Sequence, residues 1–329
     1  MIRILVFALI VAATTLSVTG AQPNESVRAE LIRLQEQAGL TLAAYDSENL
    51  DVTVFADRSI VHTGSHFSKG ARLGAISQDA TEVGGSFDRL SSMFGTSRLD
   101  DTDRLDFPTV FGPYSSCWNY DKSKIALSIK NSVGPFHSAL RILDVASKTT
   151  RDIDSSAFIY LTPQCWSPDG TRITYETQEP LHRKKNGTGE IVNPTVKIYD
   201  FARSNSQALA RGSDPSWSPD GKWIAFYDHN TYYSIAPSGD KRKVLFQKTD
   251  PYSGLIWSPD SRIVAYLSLN GLFERPIIMD VEPVRLRVRR LSDNSEDWLA
   301  QLFSTNLLSF QWLENKDLVA RAQAKTPPK

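Results

Sequence analysis

One five-residue pattern recurs along this chain and constrains its fold more than any other feature. Residues 166–170 and 217–221 both read Trp-Ser-Pro-Asp-Gly, and residues 257–261 differ from them only in the last residue. A short apolar segment follows each copy, as at residues 223–226. Proline, aspartate and glycine favour turns, so each copy predicts a β-hairpin whose first strand ends at a buried tryptophan.

Weaker copies of the pattern extend the series towards both ends of the chain. The predicted structural anchors of the repeats are Phe67, Trp118, Trp166, Trp217, Trp257 and Trp312, at intervals of 51, 48, 51, 40 and 55 residues. A tryptophan buries about 150–250 Å², which one hairpin cannot cover, so successive units must stack on each other. A period of roughly 40–50 residues with several strands per unit predicts β-propeller blades.

The strands at the two ends of the repeat region predict a closed ring. Two strands at residues 40–45 and 52–55 precede the first anchor, and one strand at residues 317–320 follows the last. Open edges would leave backbone groups unpaired. We therefore expect an all-β, six-bladed propeller whose last blade takes two strands from each end of the chain. Residues 295–303 are expected to form a short helix inserted before Trp312.

The repeated Trp-Ser-Pro-Asp-Gly motif with its following strand resembles the repeat of the TolB-like six-bladed propellers, over about residues 40–322. The resemblance implies an extracytoplasmic propeller with a role in protein–protein interaction. The Tol translocation protein has an additional N-terminal α/β domain. Here only residues 22–39 stand in that place, and the spacing of Val27, Leu31 and Leu34 predicts one short helix there instead.

The first 21 residues have the pattern of a secretory signal peptide. Arg3 precedes an apolar run at residues 4–11, and small residues at 19–21 suit cleavage near Ala21. An uncleaved anchor is the competing interpretation. We expect a secreted or periplasmic protein that is not an integral membrane protein after cleavage, with a disordered tail at residues 323–329.

Charge and cysteine content narrow the function classes further. The chain has 37 basic and 37 acidic residues, and this balance gives no reason to expect a nucleic-acid partner. Its two cysteines, Cys117 and Cys165, each directly precede a repeat tryptophan. They either form a disulfide across blades or are two small buried side chains. We expect the second, because equivalent points on adjacent inner strands usually lie beyond disulfide reach.

Three histidines are the candidates for a metal or catalytic site. His137, His182 and His229 follow the second strand of three successive blades, so we expect all three on one face of the ring. Imidazole groups bind divalent metals, although solvated loop histidines are the expected outcome. The sequence contains no G-x-S-x-G elbow, P-loop, G-x-G-x-x-G or Cys/His zinc spacing. No catalytic residue and no cofactor are therefore predicted.

Residues 180–194 form a polar, basic segment that predicts a protruding loop. Arg183, Lys184 and Lys185 are the candidate interaction residues within it, since protruding loops on rigid scaffolds often bind partners. Solvated charges that discourage aggregation are the alternative. The sequence as a whole predicts a monomeric, exported, non-catalytic scaffold with an extracytoplasmic protein partner. The alternative function is a carbohydrate-active lyase or hydrolase with a histidine-lined site on one propeller face.

Overall fold

The fold is known from a computed structural model. It describes residues 26–38, 41–46, 52–56, 59–63, 72–76, 82–86, 93–98, 105–111, 113–130, 138–156, 158–178, 182–183, 189–190, 194–247, 251–269, 282–304 and 308–313. The predicted signal peptide, Phe67, His137 and the predicted tail lie outside these ranges, and so do the strand predicted at residues 317–320 and the basic residues Lys184 and Lys185.

A single helix, α1 (Val27–Ala38), lies within the predicted N-terminal segment. The Ser26 hydroxyl caps it by accepting a hydrogen bond from the Ala29 N–H at 3.2 Å. Val27, Leu31 and Leu34 form its buried face, as their spacing predicts. Within the described part of the chain, no helix is both long and apolar enough to cross a membrane.

The strands form six four-stranded antiparallel sheets over the described residues, which are the blades of a propeller. Three strands from the N-terminal end belong to blade 6: β1 (Thr41–Asp46), β2 (Val52–Ala56) and β3 (Ser59–Thr63). Blade 1 contains β4 (Arg72–Ile76), β5 (Glu82–Ser86), β6 (Met93–Arg98) and β7 (Leu105–Phe111). Blade 2 contains β8 (Pro113–Trp118), β9 (Lys124–Lys130), β10 (Ser138–Asp144) and β11 (Thr150–Ser156).

Blade 3 is built from four strands and carries an additional ribbon. The blade strands are β12 (Phe158–Tyr160), β13 (Arg172–Gln178), β16 (Thr195–Asp200) and β17 (Asn205–Arg211). Between its second and third strands, β14 (His182–Arg183) and β15 (Gly189–Glu190) form a separate two-stranded sheet, the blade 3 ribbon.

The remaining strands complete the ring. Blade 4 contains β18 (Ser213–Trp217), β19 (Ile224–Asp228), β20 (Thr231–Ile235) and β21 (Lys243–Gln247). Blade 5 contains β22 (Pro251–Trp257), β23 (Ile263–Leu269), β24 (Glu282–Arg290) and β25 (Glu296–Ser304). The last strand, β26 (Leu308–Leu313), belongs to blade 6. The expected helix at residues 295–303 is wrong, since β25 pairs with β24 along its length.

One register is common to the repeats. Four of the repeat tryptophans pair with the residue seven positions later: Trp118 with Ile125, Trp166 with Ile173, Trp217 with Ile224 and Trp257 with Val264. Local side-chain bonds hold the turn between them. In blade 4 the Ser218 hydroxyl donates to Asp220 at 2.7 Å and accepts from the Trp223 N–H at 2.9 Å. The turn aspartate therefore has a local structural role.

The first repeat begins later than the sequence analysis predicted. Residues 72–76 are the first strand of blade 1, whereas the Phe67 assignment requires them to be its second strand. Ile76 pairs with Val83, which is the register of the tryptophan repeats. Isoleucine thus occupies the anchor position of this blade, and Phe67 as an anchor is wrong. The tryptophan-based search missed this copy because its first residue has no indole ring.

The ring is closed by strands from both ends of the chain, but not two from each. β26 pairs with β1 along its whole length, with Leu42 opposite Trp312, and the sheet order is β26-β1-β2-β3. The C-terminal end thus contributes one strand and the N-terminal end three. The predicted 2+2 closure is wrong because β1 takes the position beside Trp312 that was assigned to residues 317–320.

The core is a series of apolar clusters, each shared by neighbouring blades. Blades 3 and 4, for example, join Val196 and Ile198 to Trp217 and Phe226. Helix α1 packs in the cluster that also contains Trp312 of blade 6 and strands of blade 5. The tryptophans are therefore interblade packing residues; Trp217, for example, is 1% exposed.

A disulfide joins Cys117 of blade 2 to Cys165 of blade 3. The expectation of two unbonded thiols is therefore wrong. The Cα atoms lie 6.3 Å apart, within the usual disulfide range, because first strands of neighbouring blades approach one another near the ring axis. The bond links residues 48 positions apart.

The side chain of Gln164 connects the first strands of blades 3, 4 and 5 near the ring axis. Its Oε1 accepts hydrogen bonds from the Ser216 hydroxyl of blade 4 at 2.8 Å and from the Trp257 N–H of blade 5 at 2.9 Å. Its Nε2 donates to the Trp257 carbonyl at 3.2 Å. One amide group thus satisfies polar atoms on two neighbouring inner strands.

Candidate functional site

The two faces of the ring are formed by different connections between the blade strands. The Trp-Ser-Pro-Asp-Gly turns follow the first strands and define the lower face. The opposite, upper face is where second strands end, at Gln178 and Asp228, and where first strands begin, since the strands are antiparallel. The blade 3 ribbon and His229 both follow second strands, so they belong to the upper face.

The structure describes only part of the predicted histidine site. His137 lies outside the described residues, and of His182 only the backbone, in the ribbon, is described. His229 lies in the two-residue turn between β19 and β20, where both His229 and Asn230 have positive φ, of 42° and 61°. The convergence of the three histidines therefore stays a prediction.

Both ring nitrogens of His229 are engaged in polar contacts. Arg211 Nη2 lies 3.1 Å from Nε2, and Nδ1 lies 2.6 Å from Asp228 Oδ1. A guanidinium can only donate, so Nε2 accepts and Nδ1 carries the hydrogen that it donates to Asp228. In this arrangement His229 has no lone pair free for a metal ion or a substrate proton.

Asp228 is the centre of an ion-pair cluster in the seam between blades 3 and 4. Arg211 Nε approaches its carboxylate at 3.8 Å from blade 3, and Arg242 Nη2 approaches at 3.4 Å. The Arg242 guanidinium also lies over the Tyr233 ring at 3.8 Å. Only the Arg211 contact crosses the seam, since Arg242 and Tyr233 belong to blade 4 like Asp228 itself. Among the residues that the structure describes, no three His, Cys, Asp or Glu side chains group as metal ligands.

A pair of carboxyl groups, those of the buried Glu176 and the half-buried Asp214, also lies at this end of the blades. Glu176 is near the end of β13 and is 4% exposed. Its Oε1 accepts from Gln178 Nε2 at 2.6 Å, and its Oε2 accepts from the Asp214 N–H at 3.1 Å. The Asp214 carboxyl in turn accepts from the Gly254 N–H of blade 5.

Burial makes both carboxyl groups harder to ionise. Loss of hydration, together with the smaller effect of the Glu176 charge, raises the pKa of Asp214 to about 7, against the opposing effect of the Gly254 hydrogen bond. Burial likewise raises the pKa of Glu176, opposed by the hydrogen bonds from Gln178 and the Asp214 N–H. Strongly shifted carboxyl groups are concentrated at functional sites. This pair is therefore the most distinctive ionisable feature of the described upper face.

Sequence reasoning missed this pair, although one signal was present. Glu176 lies in the second strand of blade 3, Arg172–Gln178, whose five central residues are all buried. A carboxylate there needs a partner within the core. Asp214 precedes a proline at the start of the next blade and gives no such signal, because aspartate is common at turns.

The basic segment forms the upper-face insertion of blade 3. The ribbon pairs His182 with Glu190 and Arg183 with Gly189, apart from the four blade strands. Blade 4 makes the same connection with only two residues, His229 and Asn230. Blade 3 therefore carries additional chain at a point where the fold does not need it.

Comparisons with known proteins identify the fold. No family model matches the chain. TolB of Agrobacterium tumefaciens is 16% identical, with a TM-score of 0.54 over 83% of this chain and 98% of its own. TolB of Acinetobacter baumannii is 13% identical, with a TM-score of 0.57 over 83% of this chain and 66% of its own. The chain has a TolB-like propeller fold.

One curated protein is similar in sequence over part of the chain. It is the uncharacterized peptidase YuxL of Bacillus subtilis, which is 28% identical over 120 residues, 34% of this chain. The match spans only 18% of the length of that protein.

Proposed function

We propose that this protein is an exported, monomeric, non-catalytic propeller scaffold that binds an acidic protein partner through the blade 3 ribbon. The observation that supports it is the ribbon itself, a two-stranded insertion on the upper face where blade 4 has a two-residue turn. Arg183 lies in the ribbon, and Lys184 and Lys185 follow it in sequence. A rigid ring that carries a basic insertion suits the capture of an acidic surface.

Export is supported by two independent features. The first 21 residues predict a signal peptide. The disulfide between Cys117 and Cys165 is a kind of bond that persists in the periplasm and outside the cell and is rare in the cytosol. A secreted or periplasmic location therefore fits both the leader and the folded domain.

A binding role is also supported by the state of His229. Its two nitrogens are occupied by Arg211 and Asp228, so the one histidine side chain described on the upper face serves the blade seam. A general base needs a free lone pair within reach of the substrate proton. In the described arrangement His229 offers none.

The test is capture of a partner from the envelope fraction of the native host. Tagged wild-type protein should enrich a specific acidic protein. The variant Arg183→Glu/Lys184→Glu/Lys185→Glu should lose it, because reversed charges repel an acidic surface.

The matched control reverses three exposed charges on or beside the lower face, in the variant Lys148→Glu/Arg151→Glu/Arg203→Glu. It should capture the partner as well as wild type does. Equal loss in both variants would point to net charge alone, and equal capture by both would refute the ribbon as the binding element.

The second candidate is a carbohydrate-active lyase or hydrolase on the same face. The observation that favours it is the Glu176–Asp214 pair, because an acid with a pKa of about 7 suits proton transfer at neutral pH. Cleavage of an acidic polysaccharide by wild type, lost in Asp214→Asn with binding retained, would support the enzyme over the scaffold.

A further inference from the structure

The chain returns from the blade 3 ribbon into its blade beside a group of charged side chains. Thr195, the first residue of β16, is opposite Arg211 in the sheet, and the Gly212 N–H donates to the Pro194 carbonyl at 2.8 Å. Arg211 belongs to a group of four linked polar residues at the boundary of blades 3 and 4, which we call the seam cluster: Arg211, Asp228, His229 and Arg242. The seam cluster therefore lies where the ribbon rejoins blade 3.

Contacts on several sides hold the seam cluster in place. The Arg242 guanidinium lies over the Tyr233 ring, 3.8 Å from its centroid, and pairs with Asp228 at 3.4 Å. The turn that carries the cluster histidine is held by the Tyr227 hydroxyl, which accepts from the Asn230 N–H and donates to Asn230 Oδ1, both at 3.0 Å. Side chains that are already ordered lose little conformational freedom when a partner binds.

The seam cluster has an excess of positive charge and is open to solvent. Its two guanidinium groups share one carboxylate, and its histidine is neutral because one ring nitrogen accepts and the other donates. The side chains of Arg211 and Arg242 are 52% and 39% exposed, whereas that of Asp228 is 17% exposed. A guanidinium has five N–H donors, more than the contacts within the cluster use, so both arginines can accept a further carboxylate.

We propose that the seam cluster is the second contact site of the ribbon's binding surface, where Arg211 and Arg242 bind carboxylate side chains of the acidic protein partner. The inference rests on the proposed function, in which the ribbon is the first contact site. Planar guanidinium groups match carboxylates through two parallel hydrogen bonds. An acidic segment that binds the ribbon and continues towards blade 4 meets groups that are already in position to receive it.

The two contact sites are close enough for one acidic segment to reach both. In the ribbon Arg183 is opposite Gly189, and in blade 3 Thr195 is opposite Arg211. Paired strand residues lie about 5 Å apart, and the chain from Gly189 to Thr195 spans at most about 22 Å. The Cα atoms of Arg183 and Arg211 are therefore at most about 32 Å apart, which an extended peptide of about ten residues covers.

Binding of a glutamate homopeptide of about ten residues to the whole protein tests the seam cluster without the native partner. Its Kd is measured by isothermal titration calorimetry at low salt, because salt screens exposed charges. Arg211→Gln/Arg242→Gln should raise the Kd about fivefold, through the loss of two exposed ion pairs. Asp228→Asn should lower the Kd about threefold, because it removes the carboxylate that competes with the peptide for the two arginines.

A similar arginine–aspartate pair on the lower face provides the matched controls. Arg172 Nε lies 3.3 Å from Asp200, and the two side chains are 40% and 18% exposed. Arg172→Gln/Arg203→Gln and Asp200→Asn therefore make the same changes of charge in a comparable setting on the opposite face. Each should leave the Kd of the homopeptide within about twofold of wild type, because screening weakens the effect of distant charges.

A Kd that does not rise in Arg211→Gln/Arg242→Gln, or does not fall in Asp228→Asn, would overturn the proposal. So would equal changes in the matched controls, or no binding of the homopeptide by wild type. A gain in affinity cannot come from damage to the fold, so Asp228→Asn decides alone if the arginine variant does not fold.

Failure of the proposed function gives a different result. The charge-reversed ribbon variant would then capture the native partner as well as wild type does, whatever the seam cluster binds. Loss of homopeptide binding in the ribbon variant, with the seam-cluster variants equal to wild type, would instead refute the seam cluster alone.

Discussion

Replacing Trp257 with phenylalanine should destabilise the ring more than the same replacement at Trp217. Both indole rings are nearly fully buried, at 2% and 1% exposure, and both fill the space between neighbouring blades. The packing lost on replacement is therefore similar at the two positions. The two tryptophans differ in what their indole N–H groups do.

The Trp257 indole N–H donates to the Ser216 carbonyl of blade 4 at 3.1 Å. The Trp217 indole N–H is buried and has no partner among the described residues. The equivalent acceptor for Trp217, the Cys165 carbonyl, accepts instead from the Thr174 N–H at 2.8 Å and from the Thr174 hydroxyl at 3.3 Å. Removing the indole N–H thus deletes a hydrogen bond at Trp257 and removes an unsatisfied donor at Trp217.

The energetic difference follows from these contacts. Loss of a buried hydrogen bond that leaves its partner unpaired costs about 1–3 kcal/mol. Removal of an unsatisfied donor recovers part of a desolvation penalty. We expect Trp257→Phe to be less stable than Trp217→Phe by about 2 kcal/mol or more, measured as the free energy of unfolding in urea.

A second pair of variants provides the internal control. Trp166 donates to the Cys117 carbonyl at 3.1 Å, whereas the Trp118 indole N–H is unpaired among the described residues. Trp166→Phe should therefore also cost more than Trp118→Phe. Equal losses within both pairs would refute the assigned hydrogen bonds, and an unchanged stability in all four variants would refute interblade packing itself.

Three further predictions concern the junctions between blades. Replacing both Cys117 and Cys165 with alanine should lower the unfolding free energy by about 4 kcal/mol, from the chain entropy of a 48-residue separation; a loss below about 1 kcal/mol would contradict the bond. Gln164→Leu leaves polar groups of two inner strands unpaired and should cost about 2–4 kcal/mol in urea unfolding, whereas an unchanged midpoint would show that water replaces the amide. The pKa of Asp214 is raised to about 7 in the folded protein from 3.8, so the native state binds the proton more tightly and stability falls as pH rises from about 4 to about 7. At about pH 8, Asp214→Asn should therefore be more stable than wild type by up to about 4 kcal/mol, and a less stable variant would refute the sign of the shift.

The sequence predicted the repeats well where an indole marks them. The pairing of Trp118, Trp166, Trp217 and Trp257 with the residue seven positions later is a direct consequence of the five-residue turn. Ile76 has the same register but was missed, because a search for tryptophan does not detect an aliphatic anchor. A local sequence pattern thus detects a repeat only where the anchor position keeps the same type of residue.

Features that depend on the assembled ring were harder to predict. Either β1 or the residues after Trp312 could in principle pair with β26, and no local sequence pattern distinguishes these two pairings. The disulfide depends on how closely the first strands approach, a distance of 6.3 Å between Cα atoms that is set by the ring as a whole. The pairing of Glu176 with Asp214 likewise exists only once blades 3 and 4 are adjacent.

Closure of the ring by β1 and β26 is the central structural claim, and a cysteine pair tests it most directly. Ala43 and Gln311 are opposite each other in the register of these strands. Ala43→Cys/Gln311→Cys should form a disulfide on mild oxidation, detected as a linked peptide by mass spectrometry. The control is Val61→Cys/Gln311→Cys. Val61 lies in the same row of the sheet as Ala43 but two strands further away, at about 14 Å from Gln311, so this pair should not form a disulfide. A linked peptide in the first variant alone is the predicted result; its absence, or equal linking in both, would contradict a ring closed by one C-terminal and three N-terminal strands.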